Sequence, residues 1–527
     1  MARWHSFMEH FQFPLKVLFL ATVLLGIGSS ILNPNIAFVY KANNDILIRI
    51  AELLRYTGGF LIELFPFLVF VKLLAKKFEA SVPVLVGVAG YFIINIAMIF
   101  FLNSELPVHF YKSFLGISIN FDAIKTLGEG VVSPFNVGVF SLVAAYFITL
   151  YCYKKSRHYS MHGILSFVDH DSWSMVLTFI LCAIAGYLFA IGWPLVITIM
   201  TQVFKIIASD ITNPIYLFIY GIGERITAVL NMVEIPRSVF WFGDLGGSWM
   251  DASGAKYLGD VGVWTIQQNI NAGLSSAGRL ITPYYIINMF IIPGFLLAYY
   301  SLVTSIKDKK RYQAFFILAI FISVICGNAL PMEIMMLILC PLLYIVYLFL
   351  VGILFGLLQI LNVSVGYNFS DALILAQPGS SLELLQYVRN PEMIRNLTFI
   401  LVIGLFFGML FFFATRIYFR KYAIGVLEVK NADKMSKDLA KALGDINNIV
   451  NIEFTPDKLT VELVDRSLVD FEWLKAIGAY LVIDAKNGYL LRMGNLSTVL
   501  GLHIRQQMEN NKIRSIEDIN INDIRQF

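Results

Sequence analysis

Apolar residues fall into runs of about 20, the length that crosses a hydrocarbon core as an α-helix. Such runs lie near 14–34, 58–75, 82–102, 136–154, 173–207, 214–230, 280–303, 313–326, 334–360 and 397–418. They predict a polytopic α-helical membrane protein of about ten spans. The first run follows Arg3 and Lys16 and has the outline of a secretory leader. Because many spans follow and no convincing small-x-small cleavage site stands beside it, a retained first span is the expectation.

Two polar stretches interrupt this pattern. Residues 231–279 are too polar to cross lipid yet sit between two spans, and Cys326-Gly327-Asn328-Ala329-Leu330-Pro331-Met332-Glu333 breaks an apolar stretch with Gly, Asn, Pro and a carboxylate. Irregular backbone at membrane depth is tolerated only where protein covers it or water fills a cavity. A pair of interrupted segments points to a transported-solute site near the midplane. Ordinary extracytoplasmic loops are the plainer alternative, against which stands the cost of placing Glu333 beside a helix break.

Beyond about 421 the period shortens. An amphipathic helix is predicted over 433–443, strands over 449–454 and 458–464, and a helix over 468–477. A hairpin over 480–492 is predicted to turn on Asn487-Gly488, and a last helix covers 496–508. The domain reading is therefore a membrane domain over 1–421, a linker over 422–431, a small α/β domain over 432–510 and a polar tail over 511–527.

Composition sharpens this picture. The 527 residues are 58% hydrophobic and 14% charged, with a mean hydropathy of +0.71. Charged positions make up about 11% of the chain before 420 and about 27% after it. An ordinary soluble enzyme is excluded, and a net charge of +4 is too mild for a nucleic-acid partner. Basic clusters at Lys72/Lys76/Lys77, Lys154/Lys155/Arg157, Lys307/Lys309/Lys310/Arg311 and Arg416/Arg420/Lys421 are expected to face the cytoplasm, which places the tail inside the cell. Cys152, Cys182, Cys326 and Cys340 lie in apolar stretches without a Cys-x-x-Cys spacing, and the seven histidines are scattered. Neither set builds a metal site, and no cofactor is read.

Several stretches, in order, resemble the glucose superfamily of phosphotransferase-system (PTS) enzyme II permeases over nearly the whole chain. They are Ile219-Tyr220-Gly221 with Glu224-Arg225, Val239 through Gly247, Tyr285 through Tyr300 with Pro293-Gly294, Cys326 through Tyr344, and Leu459 through Asp470. The resemblance implies a dimeric permease of a bacterial inner membrane, with both termini cytoplasmic. It further implies a membrane IIC part with ten spans and two re-entrant hairpins, and a C-terminal IIB part whose cysteine passes phosphate to the sugar.

The chain departs from that pattern where the chemistry would sit. The family's Cys-Ile-Thr-Arg-Leu-Arg reads Thr455-Pro456-Asp457-Lys458-Leu459-Thr460. A threonine hydroxyl, un-ionised near neutral pH, is no substitute for a thiolate carrier. The positions of the family's paired histidines hold Val233 and Glu234, and the first glutamate of the second hairpin is Leu330. Asn231, Glu234, Arg237, Asp244, Asn328 and Glu333 remain as substrate-binding candidates, with Trp241 and Trp249 as stacking faces. Glu234 and Arg237 form either a clamp on the solute or a mutual ion pair; Glu333 either touches solute or pins the hairpin. Gln267, Gln268, Asn269 and Asn271 read as a solvated loop.

The expectation is a PTS-permease-like protein that binds and translocates a sugar or similar hydroxylated solute with its own phosphorelay inactive. One alternative is a phosphotransferase served by a separate IIB protein. Another is a sensor whose IIB-like tail meets a cytoplasmic PTS or regulatory protein.

Overall fold

The computed structural model describes residues 2–32, 45–78, 80–102, 136–156, 170–269, 277–302, 306–367, 378–388, 390–422, 432–454, 458–485, 487–493, 496–497 and 500–509. Nearly all of the linker read at 422–431, the tail at 511–527, Thr455 and Asn271 lie outside the described residues. The chain divides into two compact units, one made of His10–Leu302 and Ile306–Arg416, the other containing the residues up to Glu9 and the described residues from Ile417 on.

The first unit is a helical membrane protein. Its helices are α1 (Ala2–Ile31), α2 (Asp45–Phe78), α3 (Val82–Leu102), α4 (Phe140–Ser156), α5 (His170–Ser209), α6 (Pro214–Val229), α7 (Glu234–Trp241) and α8 (Asp260–Asn269). They continue with α9 (Thr282–Ser301), α10 (Ile306–Val324), α11 (Leu330–Leu339), α12 (Pro341–Ile360), α13 (Ser381–Tyr387) and α14 (Ile394–Tyr422). Among the described residues seven helices are long and apolar enough to cross a membrane: α1, α2, α3, α5, α9, α12 and α14. On α5, Ile180, Ile184, Leu188, Ile191, Leu195 and Ile199 recur at three- and four-residue spacing and are all exposed, a face that only lipid or another apolar surface would cover. Helix α9 is the opposite case, buried along most of its length.

The apolar run at 334–360 is two helices rather than one. Cys340 takes φ −143° and ψ 67°, and Pro341 opens α12. Proline favours a first helical position because it has no N–H to pair there. The first interruption holds α7, a short turn at Asp244–Gly246, an antiparallel pair β1 (Ser248–Met250) and β2 (Lys256–Leu258), and then α8. Its fold needs bare backbone at Gly246, where a Cβ would lie 1.7 Å from the Phe240 carbonyl oxygen. The Asp260 carboxylate accepts from the backbone N–H of Gly278 at 2.9 Å and of Leu280 at 3.1 Å, tying α8 to the chain entering α9. Gln267, Gln268 and Asn269 belong to α8, with Gln267 buried, so they are not a solvated loop.

The sequence reading assigned no element to 361–396, yet its described parts, 361–367 and 378–388, are stitched into the core. Val365 N–H donates to Thr282 Oγ1 at 2.8 Å, Tyr285 Oη donates to the Gly366 carbonyl at 2.8 Å, and Trp264 Nε1 donates to Tyr387 Oη at 3.0 Å.

The second unit has helix α15 (Ala432–Ala442), strands β3 (Ile449–Phe454) and β4 (Lys458–Leu463), helix α16 (Phe471–Ile477), strands β5 (Leu481–Ala485) and β6 (Gly488–Arg492), and helical residues 500–509. The sheet is antiparallel in the order β3-β4-β6-β5. Leu439, Ile452, Leu459, Val461, Leu474, Leu491, Leu500 and Ile504 form its core. Alternation puts Leu459, Val461 and Leu463 on the covered side of β4. Helix α16 begins at Phe471, later than the 468 expected, because the Asp470 side chain accepts from Trp473 N–H and caps it there. Gly488 pairs within β6 rather than supplying a turn position. Its lack of a side chain serves close approach instead: a Cβ there would lie 1.9 Å from the Val461 carbonyl oxygen.

Candidate functional site

Helix α6 ends in an apolar environment but carries adjacent charges, Glu224 and Arg225, on its last turns. Both are buried, and charge in that setting persists only with partners. Arg225 Nε donates to Glu224 Oε2 at 2.5 Å, and Arg237 Nε donates to Glu224 Oε1 at 3.1 Å. Arg225 Nη1 donates to Glu333 Oε1 at 3.1 Å, and Tyr347 Oη donates to the same oxygen. The order Glu333–Arg225–Glu224–Arg237 alternates in sign and closes at zero net charge. Tyr284 of α9 lies beneath it, with the Arg225 guanidinium 4.5 Å from its ring centre and Arg237 Nη2 donating to its hydroxyl at 3.4 Å.

One flank of this chain of charges opens on a cavity where the two interruptions meet α1, α2 and α9. Its volume of about 80 Å³ holds several water molecules. Asn231, Glu234, Arg237, Asn328 and Glu333, five of the six substrate-binding candidates, line it. Asp244 does not: it sits in the exposed turn after α7. Trp241 and Trp249 are not free stacking faces either. The Arg237 guanidinium lies 4.5 Å from the Trp241 ring centre, and Trp249 stacks on Tyr257 across the β1–β2 pair. Glu234 and Arg237 make no mutual ion pair; Arg237 is taken by Glu224, and Glu234 faces the cavity. Val233 and Leu330 add apolar side chains to the same wall.

Four polar lining residues escaped the sequence reading as site candidates: Glu63, Arg225, Tyr284 and Asn288. Glu63 is a carboxylate inside the apolar run of α2, and an ionisable residue in a span is itself a signal. It accepts from Asn231 Nδ2 at 3.1 Å. Asn231 adopts φ +57°, the left-handed geometry that asparagine tolerates better than most residues.

Asn288 is presented by a widened turn. Residues Ile287–Ile291 form a π-helical turn in which Ile292 N–H reaches back to the Ile287 carbonyl. In that register the Asn288 carbonyl would pair with the N–H of residue 293, which is proline and has none. The Ser323 hydroxyl from α10 donates to it instead at 2.7 Å. The Asn288 side chain donates through Nδ2 to the Pro378 carbonyl at 3.1 Å, which aims Oδ1 the other way.

Two acceptor atoms in this wall are left without a hydrogen-bond partner: Asn288 Oδ1 and Glu333 Oε2. The residues are 1% and 0% exposed. An orphaned buried acceptor costs about 1–3 kcal/mol, a cost relieved when a donor enters the cavity. No protein-family model matches the chain.

Proposed function

We propose that this protein is a PTS-permease-like carrier of a bacterial inner membrane, with ten spans and two re-entrant hairpins, working as a dimer. It binds a small hydroxylated, sugar-like solute in the cavity between the interruptions and moves it without phosphorylating it. The observation that carries this reading is the pair of buried, unpartnered acceptors, Glu333 Oε2 and Asn288 Oδ1, in one polar cavity. A polyol hydroxyl donates to such atoms, and a site with unmet acceptors discriminates against analogues that lack the donor. The resemblance of the ordered sequence stretches to PTS permeases supports the substrate class. Val233 and Leu330 on the cavity wall, and Thr455 in the C-terminal module, support the absence of phosphoryl transfer, since the first two offer no polar group to the reacting end of a sugar and an un-ionised threonine hydroxyl does not replace a thiolate as transient phosphoryl carrier.

The test is uptake of a panel of labelled sugars and polyols into proteoliposomes. It is run with and without phosphoenolpyruvate, the general PTS proteins and a compatible IIA protein. Accumulation of unmodified solute, indifferent to phosphoenolpyruvate, is expected. Appearance of sugar phosphate, or no uptake of any solute, overturns the reading.

A further inference from the structure

Glu333 uses its two carboxylate oxygens unequally. Oε1 accepts from Arg225 Nη1 at 3.1 Å and from the Tyr347 hydroxyl, whereas Oε2 accepts from no group among the described residues, and the side chain is wholly buried. An arginine beside a buried carboxylate often grips both oxygens with a two-pronged fork. Arg225 does not do so here, because its second prong, Nη2, lies 2.5 Å from Glu224 Oε2. Tyr347 brings a further donor, and brings it to the oxygen that already has one. Two donors on one oxygen and none on its twin hold the carboxylate with Oε2 turned away from the network, in a residue that lines the cavity.

Tyr347 itself stands on α12 outside the cavity lining, and its ring is fixed by its neighbours. Tyr344, one turn earlier, stacks against it with ring centres 5.8 Å apart, and Phe411 of α14 packs against it at the same distance. Two asparagines of the lining are oriented by the same device, a bond spent on one end of the side chain. Asn288 gives Nδ2 to the Pro378 carbonyl and presents Oδ1. Asn328 takes the Leu330 N–H on Oδ1 at 3.0 Å and presents Nδ2, which has no hydrogen bond among the described residues. Acceptors and a donor thus stand together on this wall. A hydroxyl donates one hydrogen bond and accepts two, so a neutral polyol answers both kinds.

We infer that Tyr347 is a positioning residue of the solute site: by holding Glu333 Oε1 it fixes Oε2 as the acceptor for one solute hydroxyl, and so sets which hydroxyl the site requires. The inference rests on the carrier reading and adds to it a residue that touches no solute. Without the phenol, Oε1 keeps one donor, and the carboxylate can turn about its last bond and offer either oxygen to the cavity. The solute then meets an acceptor that is no longer preorganised, and the requirement for a donor at one place on the solute relaxes.

Isothermal titration of the full chain in lipid nanodiscs tests this with glucose and sorbitol, each beside its derivatives carrying fluorine in place of a single hydroxyl. Fluorine is close to a hydroxyl in size but donates no hydrogen bond. In the unsubstituted protein, fluorination at one position is expected to weaken binding at least ~10-fold, and at the others far less. Tyr347→Phe keeps the ring against Tyr344 and Phe411; there the penalty at that position should shrink to ~3-fold or less, with the other positions unaffected. Tyr347→4-methylphenylalanine fills the hydroxyl's place without a donor and should behave alike, which keeps the test open if the phenylalanine variant does not fold. Tyr347→4-aminophenylalanine restores an N–H donor there and should bring the penalty back. Tyr285→Phe removes a hydroxyl bonded only to the Gly366 carbonyl and should leave the fluorine profile unchanged. A profile of unchanged shape in the donorless variants, with all members weakened alike, overturns the inference and makes Tyr347 a packing residue. So does a Tyr285→Phe profile relaxed in the same way, or an unsubstituted protein with no sensitive position, and each of these results leaves the carrier reading standing. If neither glucose nor sorbitol nor any derivative binds, the carrier reading falls as well.

Discussion

Arg225 donates to Glu333 across 108 positions of sequence, joining the helix that precedes the first interruption to the helix that restarts after the second. The pair is fully enclosed, so its two ends are not independent. Neutralising Glu333 alone leaves two arginines sharing Glu224. Glu333→Gln is therefore expected to lower stability by ~3–5 kcal/mol, the cost typical of breaking a buried pair from one side. The double variant Arg225→Gln/Glu333→Gln should recover part of that loss, because Glu224 and Arg237 then balance. It should not recover solute binding. Thermal unfolding in detergent, read beside titration calorimetry, checks both halves. Full recovery of binding in the double variant would mean that Glu333 serves the fold alone.

Asn231 holds a left-handed backbone position and donates to Glu63. The two duties separate under substitution. Asn231→Gly keeps the backbone freedom and loses the donor; Asn231→Ala loses both and adds strain of ~1–2 kcal/mol. The glycine variant is expected to unfold at a higher temperature than the alanine variant, with both weakened in binding to a similar degree. The opposite order of unfolding temperatures would show that the turn does not demand this conformation.

Tight packing of the first interruption makes a sharp contrast among glycines. Gly246→Ala would drive a methyl group into the Phe240 carbonyl, and Gly259→Ala would do the same to the Trp241 carbonyl at 2.2 Å from an already left-handed residue. Both are expected to abolish solute binding and to expose 240–260 to proteolysis. Gly223→Ala, in α6 with open space around it, should be neutral or should stabilise by up to ~1 kcal/mol. Limited digestion and unfolding of the three variants in parallel decides the matter.

The C-terminal module has its own core, so removing 431–527 is expected to leave membrane insertion unchanged. The module expressed alone should unfold cooperatively, and Leu474→Ala should cost it ~2–5 kcal/mol. The Ser467 hydroxyl and backbone N–H both donate to Asp465, holding its carboxyl below the usual range. A carboxyl held low stabilises the fold above the pH at which the unfolded chain ionises and loses that contribution as pH falls. The module's melting temperature should thus be flat near neutrality and decline below about pH 4. Asp465→Asn should make that decline shallower. A decline of unchanged steepness would remove Asp465 from the account.

Hydropathy made the helices legible because lipid imposes length and composition together. It was blind at Cys340-Pro341, where the chain breaks without any change in polarity. The cavity was legible through Asn231, Glu234, Arg237, Asn328 and Glu333, since polar residues at interruptions announce themselves. Glu63 lay in plain view as a carboxylate in an apolar run, and only its partner Asn231 was singled out. The pairing of Arg237 with Glu224 rather than Glu234 could not be read from spacing. Three residues apart favours a contact along one helix, and here a neighbouring helix supplied a better-placed carboxylate. The described parts of 361–396 carry no period, because they are held by single hydrogen bonds to α8 and α9 rather than by a repeating face.

The π-turn at Ile287–Ile291 gives the cavity wall an unusual way to change. It accommodates one residue more than an ordinary helical turn, so deleting a single residue there would return α9 to a regular helix. Because the wide turn already absorbs that residue, the two flanks of α9 would keep close to their present facing. What the deletion would remove is the widened turn that aims Asn288 at the cavity and hands its carbonyl to Ser323, whereas a deletion elsewhere in the helix would turn one flank by ~100° against the other, so this turn is a place where α9 can lose a residue and keep most of its lining.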